Sequence, residues 1–439
     1  MRAVKIVIIG AASANFGPVL VLDLIRTVLH DGGELVLVDV RQQAVQQMAA
    51  FAGEILQAHG AAARIEWSTD RVSALPGTDF VVMAAEADRL EAWKKDWEIP
   101  HRYGIRHTLG ENRGPAGLSH TLRTAPLAVA IAKDIEQHCP HATMLIMTNP
   151  EDRLVFAVRA ATTVRAFGYC DGLWDFKHNV LGRALGIPGE DIFVDGAGIN
   201  HAVWIRSVVD TRNGSDLSPS ILKLASDGFQ PVGYHLWQRF GLWPHENDEH
   251  YGEYFPYAGD LLQARGFDFD GFKDLAQHWE TQIELVCNGE RNIDSVLPAL
   301  EDYHHDVFGD APPGTTLAGL TGSTPTYIAN ANMPNHGKIA GLPDDMIVEL
   351  PAIATLSGLH GIGSITLPQA ITSFLYREGT IQKLSAEAAV EGSRSKALTA
   401  LELDPHVPSP AIGKQLLNDF LAAHRPLMEP HLHARLSRA

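Results

Sequence analysis

The sequence predicts an α/β fold, a doubly wound sheet followed by an α+β domain, from three observations. The first half alternates Val- and Ile-rich runs with longer apolar-periodic stretches, at the spacing of parallel strands joined by helices. A glycine-rich turn follows the first run. The rhythm changes near residue 195, after which Trp, His and Tyr become frequent. We therefore expect a nucleotide-binding domain over 1–195 and an α+β substrate, lid and oligomerisation domain over 196–439.

The elements of the first half can be predicted in order. The opening run ends at Gly10, and its lack of alternation is typical of a strand buried on both faces. The predicted elements that follow are a helix over 18–29, a strand over 34–40, a helix over 42–59, a strand over 80–84, a helix over 124–137 and a strand over 143–147.

Composition excludes several classes of protein. The 439 residues can bury a large core, and 45% apolar residues exclude a disordered chain. A formal net charge of −17 disfavours binding to nucleic acid. No apolar run reaches the length of a membrane span, and the opening run is too short for a signal peptide. Three cysteines form no disulfide framework, so we expect a reducing cytoplasm.

The turn after the first strand predicts a nucleotide site. Glycine there lets backbone amides approach a pyrophosphate at the start of a helix, although Ala12 replaces the second glycine of G-x-G and the third is displaced to Gly17. An acid ending the second strand can bind both ribose hydroxyls and favours NAD over NADP, unless it only caps a helix. The predicted Rossmann-like cofactor contacts are Gly10, Ser13, Asn15, Phe16, Asp39 and Asn149.

Ordered motifs extend along most of the chain. They are Ile99–Gly104, Gly114–Gly117 with Leu122–Thr124, Thr148–Pro150, Gly168–Gly172, Gly198–His201, Glu249–Tyr257, Met333–Ile339 and Leu342–Pro343. In these motifs the chain resembles glycoside hydrolase family 4, NAD-dependent glycosidases with a fold like that of lactate and malate dehydrogenases.

The resemblance implies a redox route for cleaving a glycosidic bond. NAD takes hydride from sugar carbon 3, and the resulting ketone makes the proton on carbon 2 acidic. A base removes that proton and the aglycone leaves by elimination. Water then adds to the unsaturated sugar and the hydride returns, so that the cofactor ends as it began.

The resemblance also implies roles for single residues. Cys170 and His201 match the ligands of a divalent metal, usually Mn²⁺ in the family, although a thiolate by itself favours zinc-like ions. Asp171 matches a general acid, while Tyr254 and Tyr257 are alternative bases for carbon 2. Asn149, Asn200 and His201 match sugar-binding positions. Each has a structural alternative, as a turn residue, a core histidine or a core aromatic.

The sugar is the least specified part of the prediction. Trp93 stands where the family usually has a phosphate-binding arginine, which puts a 6-phosphosugar in doubt. Tryptophans such as Trp93 would suit stacking on a sugar face. Arg89, Lys94 and Arg113 could form an anion site or be surface charges. We expect an anionic hexoside, a sulfoquinovoside or a uronide.

Three functions remain open at this stage. The first is an NAD- and metal-dependent α-glycosidase, with a 6-phospho-α-glucosidase as a variant. The second is an NAD-dependent sugar or 2-hydroxy-acid dehydrogenase on the same fold, and the third is a sensor that has lost catalysis. The expected partners are a small glycoside and further copies of the chain, as a homodimer or homotetramer.

Overall fold

The structure is a computed structural model that describes residues 3–262, 267–309, 313–322 and 324–437. Its strands are Lys5–Ile9 (β1), Glu34–Val38 (β2), Arg64–Ser68 (β3), Phe80–Met83 (β4), Thr143–Ile146 (β5), Arg165–Gly168 (β6), Ile192–Ile199 (β7), Ala202–Asp210 (β8), Ser215–Asp216 (β9), Trp243–Pro244 (β10), Thr326–Pro334 (β11), Ile347–Thr355 (β12) and Gly358–Gly361 (β13).

The α-helices lie on and around this sheet. They are Gly17–Arg26 (α1), Gln42–Ala58 (α2), Arg71–Ala74 (α3), Arg89–His101 (α4), Gly114–His138 (α5), Glu151–Ala161 (α6), Gly172–Asp175 (α7), Arg183–Leu185 (α8), Ser218–Ser226 (α9), Pro231–Phe240 (α10), Asp248–Tyr251 (α11), Ala258–Leu262 (α12), Phe269–Cys287 (α13), Leu297–Phe308 (α14), Pro313–Thr321 (α15), Gln369–Glu391 (α16), Arg394–Leu403 (α17), Pro410–Ala423 (α18) and Pro430–Ser437 (α19). Residues 176–182 between α7 and α8 form a π-helix.

The first six strands form a parallel sheet in the order β3-β2-β1-β4-β5-β6. This is the strand order of a doubly wound nucleotide-binding fold, so the predicted fold class is confirmed. Parallel strands end at one edge of the sheet, and therefore the segments that follow β1, β2, β5 and β6 meet at that edge. This edge, which we call the carboxyl edge, carries most of the predicted site residues.

The strands of the second half extend the same sheet. Beyond β6 the order is β11-β12-β7-β8-β10, all antiparallel, with β11 joined to β6 at Asn332 and Gly168. The boundary expected at residue 195 falls inside β7, where the ladder to β8 changes register between Asp195 and Gly196. The division into 1–195 and 196–439 stays a prediction.

Several elements of the first half differ from expectation, since the predicted set lacks β3, α3, α4, α6 and β6. β3 was not predicted, because most of its side chains are exposed and charged or polar residues interrupt its apolar pattern. α5 begins at Gly114, ahead of the predicted start at Thr124, with Pro115 in its first turn. The C-terminal helices share one core with α5 and α6, because Ala386 and Leu417 pack in the same buried cluster as Leu122 and Leu154.

No helix in the described ranges combines the length and the hydrophobicity that crossing a membrane requires.

Helix α4 carries a buried tryptophan, Trp93, at the position where the family usually has an arginine. The side chain of Trp93 is 3% exposed, and its Nε1–H donates to the carbonyl of Leu109 at 2.9 Å. The Phe267 ring lies 4.0 Å from it, centroid to centroid, and the guanidinium of Arg89 lies 5.1 Å above it. Trp93 is thus a packing residue here, with its hydrogen bond satisfied inside the protein.

We predict that Trp93→Ala lowers the free energy of unfolding by about 3–5 kcal/mol, because it leaves a cavity and an unpaired carbonyl. Lys94→Ala is the matched control on the same helix, and its exposed side chain should change stability by less than about 0.5 kcal/mol. Chemical denaturation of both variants measures this. If the two variants were equally stable and Trp93→Ala lost only sugar binding, Trp93 would instead be a residue that stacks on the sugar.

Candidate active site

The glycine-rich turn sits at the carboxyl edge between β1 and α1. Gly10 has φ +91°, and a Cβ there would lie 2.6 Å from the Ala84 carbonyl oxygen, so only glycine fits. A Cβ on Gly17 would lie 2.5 Å from the Ala11 carbonyl oxygen. Gly17 therefore supplies the close approach of turn and helix that a glycine at position 12 does not provide here. The turn leads directly into the start of α1, where the sequence predicts a pyrophosphate.

Asp39 follows β2 and contacts the turn. Its Oδ2 accepts from the Ala12 amide at 3.2 Å, and its Oδ1 accepts from the backbone and the side chain of Arg41. Arg41 also donates to the Ala12 carbonyl at 2.7 Å. The acid is therefore beside the turn, where the ribose assignment needs it. In the described structure it is already hydrogen bonded to Arg41.

Of the other predicted cofactor contacts, Ser13, Asn15 and Phe16 belong to the same turn and Asn149 follows β5. Asn15 is 6% exposed and its Oδ1 has no partner among the described residues, which leaves an acceptor for a ligand. The hydroxyl of Ser13 accepts from the Phe16 amide at 3.4 Å, which holds the turn. Asn149 is half-buried after β5 and precedes a cis Pro150.

Cys170 and His201 come together as predicted, from different parts of the chain. Cys170 follows β6, and His201 lies in the tight turn between β7 and β8 with φ +59°. The Sγ of Cys170 lies 3.6 Å from Nε2 of His201, and both side chains are less than a tenth exposed. Metal bonds of about 2.3 Å to sulfur and 2.1 Å to nitrogen, at a tetrahedral angle, span about 3.6 Å. The pair fits a single divalent ion.

Two further residues lie against His201, and neither was predicted. Glu246 Oε1 is 3.2 Å from His201 Nδ1, and the His250 ring stacks on the His201 ring at 4.1 Å. Donor atoms of these three residues lie within 4.8 Å of one another. The segment containing His250 was identified as a motif, but the sequence gives no signal that pairs Glu246 with a turn 45 residues earlier.

Buried carboxylates dominate the electrostatics of this site. Burial and the nearby Asp175 raise the pKa of Asp171 to about 6. Burial and the carboxylate of Glu349 raise the pKa of Glu151 well above its usual value, and Glu151 Oε1 has no hydrogen-bond partner among the described residues. Burial and these acids also raise the pKa of Cys170, so without a metal the sulfur is a thiol.

Tyr254 is enclosed at the site and Tyr257 is not. The Tyr254 side chain is 1% exposed, donates its hydroxyl proton to the Asn200 carbonyl and accepts from Arg113 Nε at 2.9 Å. Tyr257 is 38% exposed and contacts His235 and Phe255. The structure therefore brings only Tyr254 to the neighbourhood of His201.

The predicted anion site is not assembled. Arg113 is 1% exposed and makes a two-pronged ion pair with Asp152, so it is not free to bind a substrate anion. Arg89 is paired with Glu86 and Glu111, and Lys94 is exposed on α4. Sequence reasoning could not foresee these partners, because they come from separate elements.

Asn200 is fully buried beside His201. Its side-chain amide donates to Glu349 Oε2 at 3.3 Å, and Asn332 donates to the same oxygen. The backbone carbonyl of Asn200 accepts a hydrogen bond from the Tyr254 hydroxyl. In the described structure Asn200 therefore orients the turn that carries His201, while its Oδ1 has no hydrogen-bond partner among the described residues.

The Glu253 carboxylate binds the backbone just before α5. Its Oε1 accepts from the amides of Glu111, Asn112 and Arg113 at 2.6, 2.8 and 3.3 Å, and its Oε2 is 3.8 Å from His250 Nδ1. Burial raises the pKa of Glu253, but His250 and the amides outweigh it and lower the pKa to about 2. The carboxylate thus holds the three residues that lead into α5, with Arg113 as the residue directly before the helix.

Comparison with known proteins agrees with this architecture. The sequence pattern of the family 4 glycosyl hydrolases matches residues 5–185, and that of their C-terminal domain matches residues 196–407. The chain belongs to this family and is a glycoside hydrolase.

Individual relatives cover nearly the whole chain. An α-glucosidase of Erwinia rhapontici is 28% identical, over 92% of this chain and 94% of that protein. An α-galactosidase of Bacillus subtilis is 27% identical, over 96% and 98%. A 6-phospho-α-glucosidase from gut microorganisms, solved with NAD and Mn²⁺, superposes with a TM-score of 0.77 at 20% identity, over 97% and 99%.

We predict that Glu253→Gln lowers the free energy of unfolding at pH 7 by roughly 3 kcal/mol, because the folded protein lowers the pKa of this carboxylate to about 2. Because the folded pKa is below the unfolded value, the wild-type advantage is present above about pH 4.5 and is lost as pH falls towards 2. Denaturation of both proteins across this range measures it. A difference independent of pH would contradict the role of the charge.

Proposed function

We propose that the protein is an α-glycosidase that cleaves its substrate through transient oxidation at sugar carbon 3. The observation that carries the proposal is the buried pair of Cys170 and His201, placed at the same carboxyl edge as the Gly10 turn. A nucleotide held at that turn would extend along this edge towards the pair. Oxidation and elimination need these two centres side by side.

The residues that would hold the cofactors follow from the site. We assign NAD to the turn and its neighbours, namely Gly10, Ser13, Asn15, Phe16, Asp39 and Asn149. We assign a divalent ion, Mn²⁺ by analogy with the structural relative, to Cys170 and His201. When bound, NAD supplies reversible hydride transfer and the ion supplies Lewis acidity towards the sugar oxygens.

Two side chains move the protons. The oxygen of Tyr254, as a phenolate, takes the proton from sugar carbon 2, and Asp171 donates a proton to the departing aglycone oxygen. Burial raises the pKa of Tyr254 well above its usual value in spite of the charge of Arg113 at 2.9 Å, so the phenolate requires the further positive charge of the bound ion. The raised pKa of Asp171, about 6, supports its role as an acid.

The finer proposal concerns the sugar. We keep an anionic hexoside, a sulfoquinovoside or a uronide, as the first candidate. Fewer of the predicted basic residues support this candidate than the sequence suggested. Arg113 is already paired with Asp152, and Lys94 is exposed. Arg89 remains as a partly exposed arginine of the predicted set, with its side chain 26% exposed. Neutral hexosides and 6-phosphates are the alternatives. The cytoplasmic location and the dimer or tetramer stay predictions.

The test is aglycone release from p-nitrophenyl α- and β-glycosides: neutral hexosides, uronides, a 6-phosphate and a sulfoquinovoside. Each is run with and without NAD and Mn²⁺. We expect release from an α-glycoside that requires NAD without accumulation of NADH. Accumulation of NADH in proportion to an oxidised free sugar or hydroxy acid, with no aglycone release, would make the protein a dehydrogenase.

A paired substitution tests the base. Tyr254→Phe should lower kcat by about 10²- to 10⁴-fold, because no other oxygen replaces the phenolate. Tyr257→Phe, at an exposed tyrosine of the same segment, should stay within about twofold of wild type. Exchange of the carbon 2 proton with D₂O, followed by NMR, isolates the step. Exchange lost in Tyr257→Phe and retained in Tyr254→Phe would reverse the assignment.

A further inference from the structure

Gly172 is the one member of the Cys170-Asp171-Gly172 sequence that the proposed chemistry leaves unexplained. It is the first residue of α7 and does not have a positive φ, so its backbone conformation does not require glycine. The space around it favours glycine, because a larger residue fits only if the neighbouring carboxylate moves. A Cβ at this position would overlap Glu246 Oε1 and lie 3.0 Å from Glu246 Cδ. Glycine here makes room for the Glu246 carboxylate.

That carboxylate is held beside one ring nitrogen of His201. Glu246 is 2% exposed, and its Oε1 lies 3.2 Å from His201 Nδ1. The other ring nitrogen, Nε2, faces Cys170 Sγ at 3.6 Å. A neutral imidazole carries its proton on one nitrogen only, so a proton on Nδ1 leaves the Nε2 lone pair directed at the sulfur.

The backbone at His201 also indicates that this side chain is placed at a cost. Its φ of +59° lies in the left-handed region, which is unfavourable by about 1–2 kcal/mol for residues with a Cβ. Such strain persists where the surrounding structure enforces it, and it concentrates at functional sites. The His250 ring covers one face of the imidazole, with an angle of 4° between the planes.

We propose that Glu246 is a positioning residue for the metal site: it accepts the Nδ1 proton of His201, so that Nε2 faces Cys170, and Gly172 provides the space it needs. The inference rests on the proposed ion at Cys170 and His201. A carboxylate that accepts the second N–H of a metal-binding histidine fixes its tautomer and orientation, and its loss typically weakens metal binding 10- to 100-fold. The sequence alone predicts no such role for Glu246 or Gly172.

The test measures metal binding by the full-length protein, with Co²⁺ as the probe. Titrations are followed by the thiolate-to-cobalt absorption band, which reports Cys170. Four variants are compared with wild type, with circular dichroism as a check on folding. They are Glu246→Leu, Glu246→Gln, Gly172→Ala and Glu249→Gln. Glu249 is the matched control, since it is an exposed acid in the same segment.

We expect Glu246→Leu to weaken Co²⁺ binding 10- to 100-fold. Gly172→Ala should do the same by displacing the carboxylate. Glu246→Gln should lose less than tenfold, because its amide oxygen still accepts the Nδ1 proton, and Glu249→Gln should match wild type. The thiolate band should persist at saturation in all of them. Imidazole ¹⁵N NMR of the Zn²⁺-loaded protein should report a protonated Nδ1 on His201 in wild type and in Glu246→Gln.

Other outcomes overturn the proposal in distinguishable ways. Unchanged affinity in Glu246→Leu would show that the carboxylate does not position His201. An equally large loss in Glu246→Gln and Glu246→Leu, with Nδ1 unprotonated, would make Glu246 a direct ligand, together with His250. Absence of the thiolate band in the wild-type protein would show that Cys170 does not bind the metal. That result would contradict both the proposed function and this inference.

Discussion

The buried ion pair between Arg113 and Asp152 is the contact on which the geometry of the active site depends. It joins the start of α5 to α6, and Gln382 from α16 donates to the same carboxylate at 2.6 Å. Arg113 also reaches the Asn200 carbonyl and Tyr254. Removing one partner of such a pair leaves an uncompensated buried charge, at about 3–5 kcal/mol. The turn that carries His201, the candidate base and the C-terminal helices are thus tied to one another through a single guanidinium.

The pair is embedded in a site that is rich in acids. Glu151, Asp171, Glu246 and Glu349 all raise the pKa of Cys170, together with burial. The pKa of Glu246 is lowered to about 2, because three histidines outweigh its burial. A divalent cation would relieve the repulsion among these acids, and its charge would favour the thiolate form of the sulfur. The same field opposes an anionic sugar group close to the proposed metal site and favours placing any sulfonate or carboxylate away from these acids.

Prediction from sequence succeeded where the signal was local. The buried strands of the first half are continuous Val and Ile runs, and Gly10 marks a turn that only glycine can make. The family motifs located Cys170, His201 and Tyr254. Long-range pairing was not predictable: β12 inserts between β7 and β11, and this places the second half in the same sheet. For the same reason the partners of Arg113 and the approach of Glu246 to His201 could not be foreseen, since each contact joins segments far apart in the chain.

The left-handed conformation of His201 has a further consequence for how this protein can change. Glycine would relieve the backbone strain at that position, so the turn between β7 and β8 would gain stability from the same replacement that removes the imidazole. Under the proposed function, stability and catalysis are in opposition at this one residue. A copy of the chain released from selection for the proposed activity should therefore drift towards glycine or asparagine at this turn.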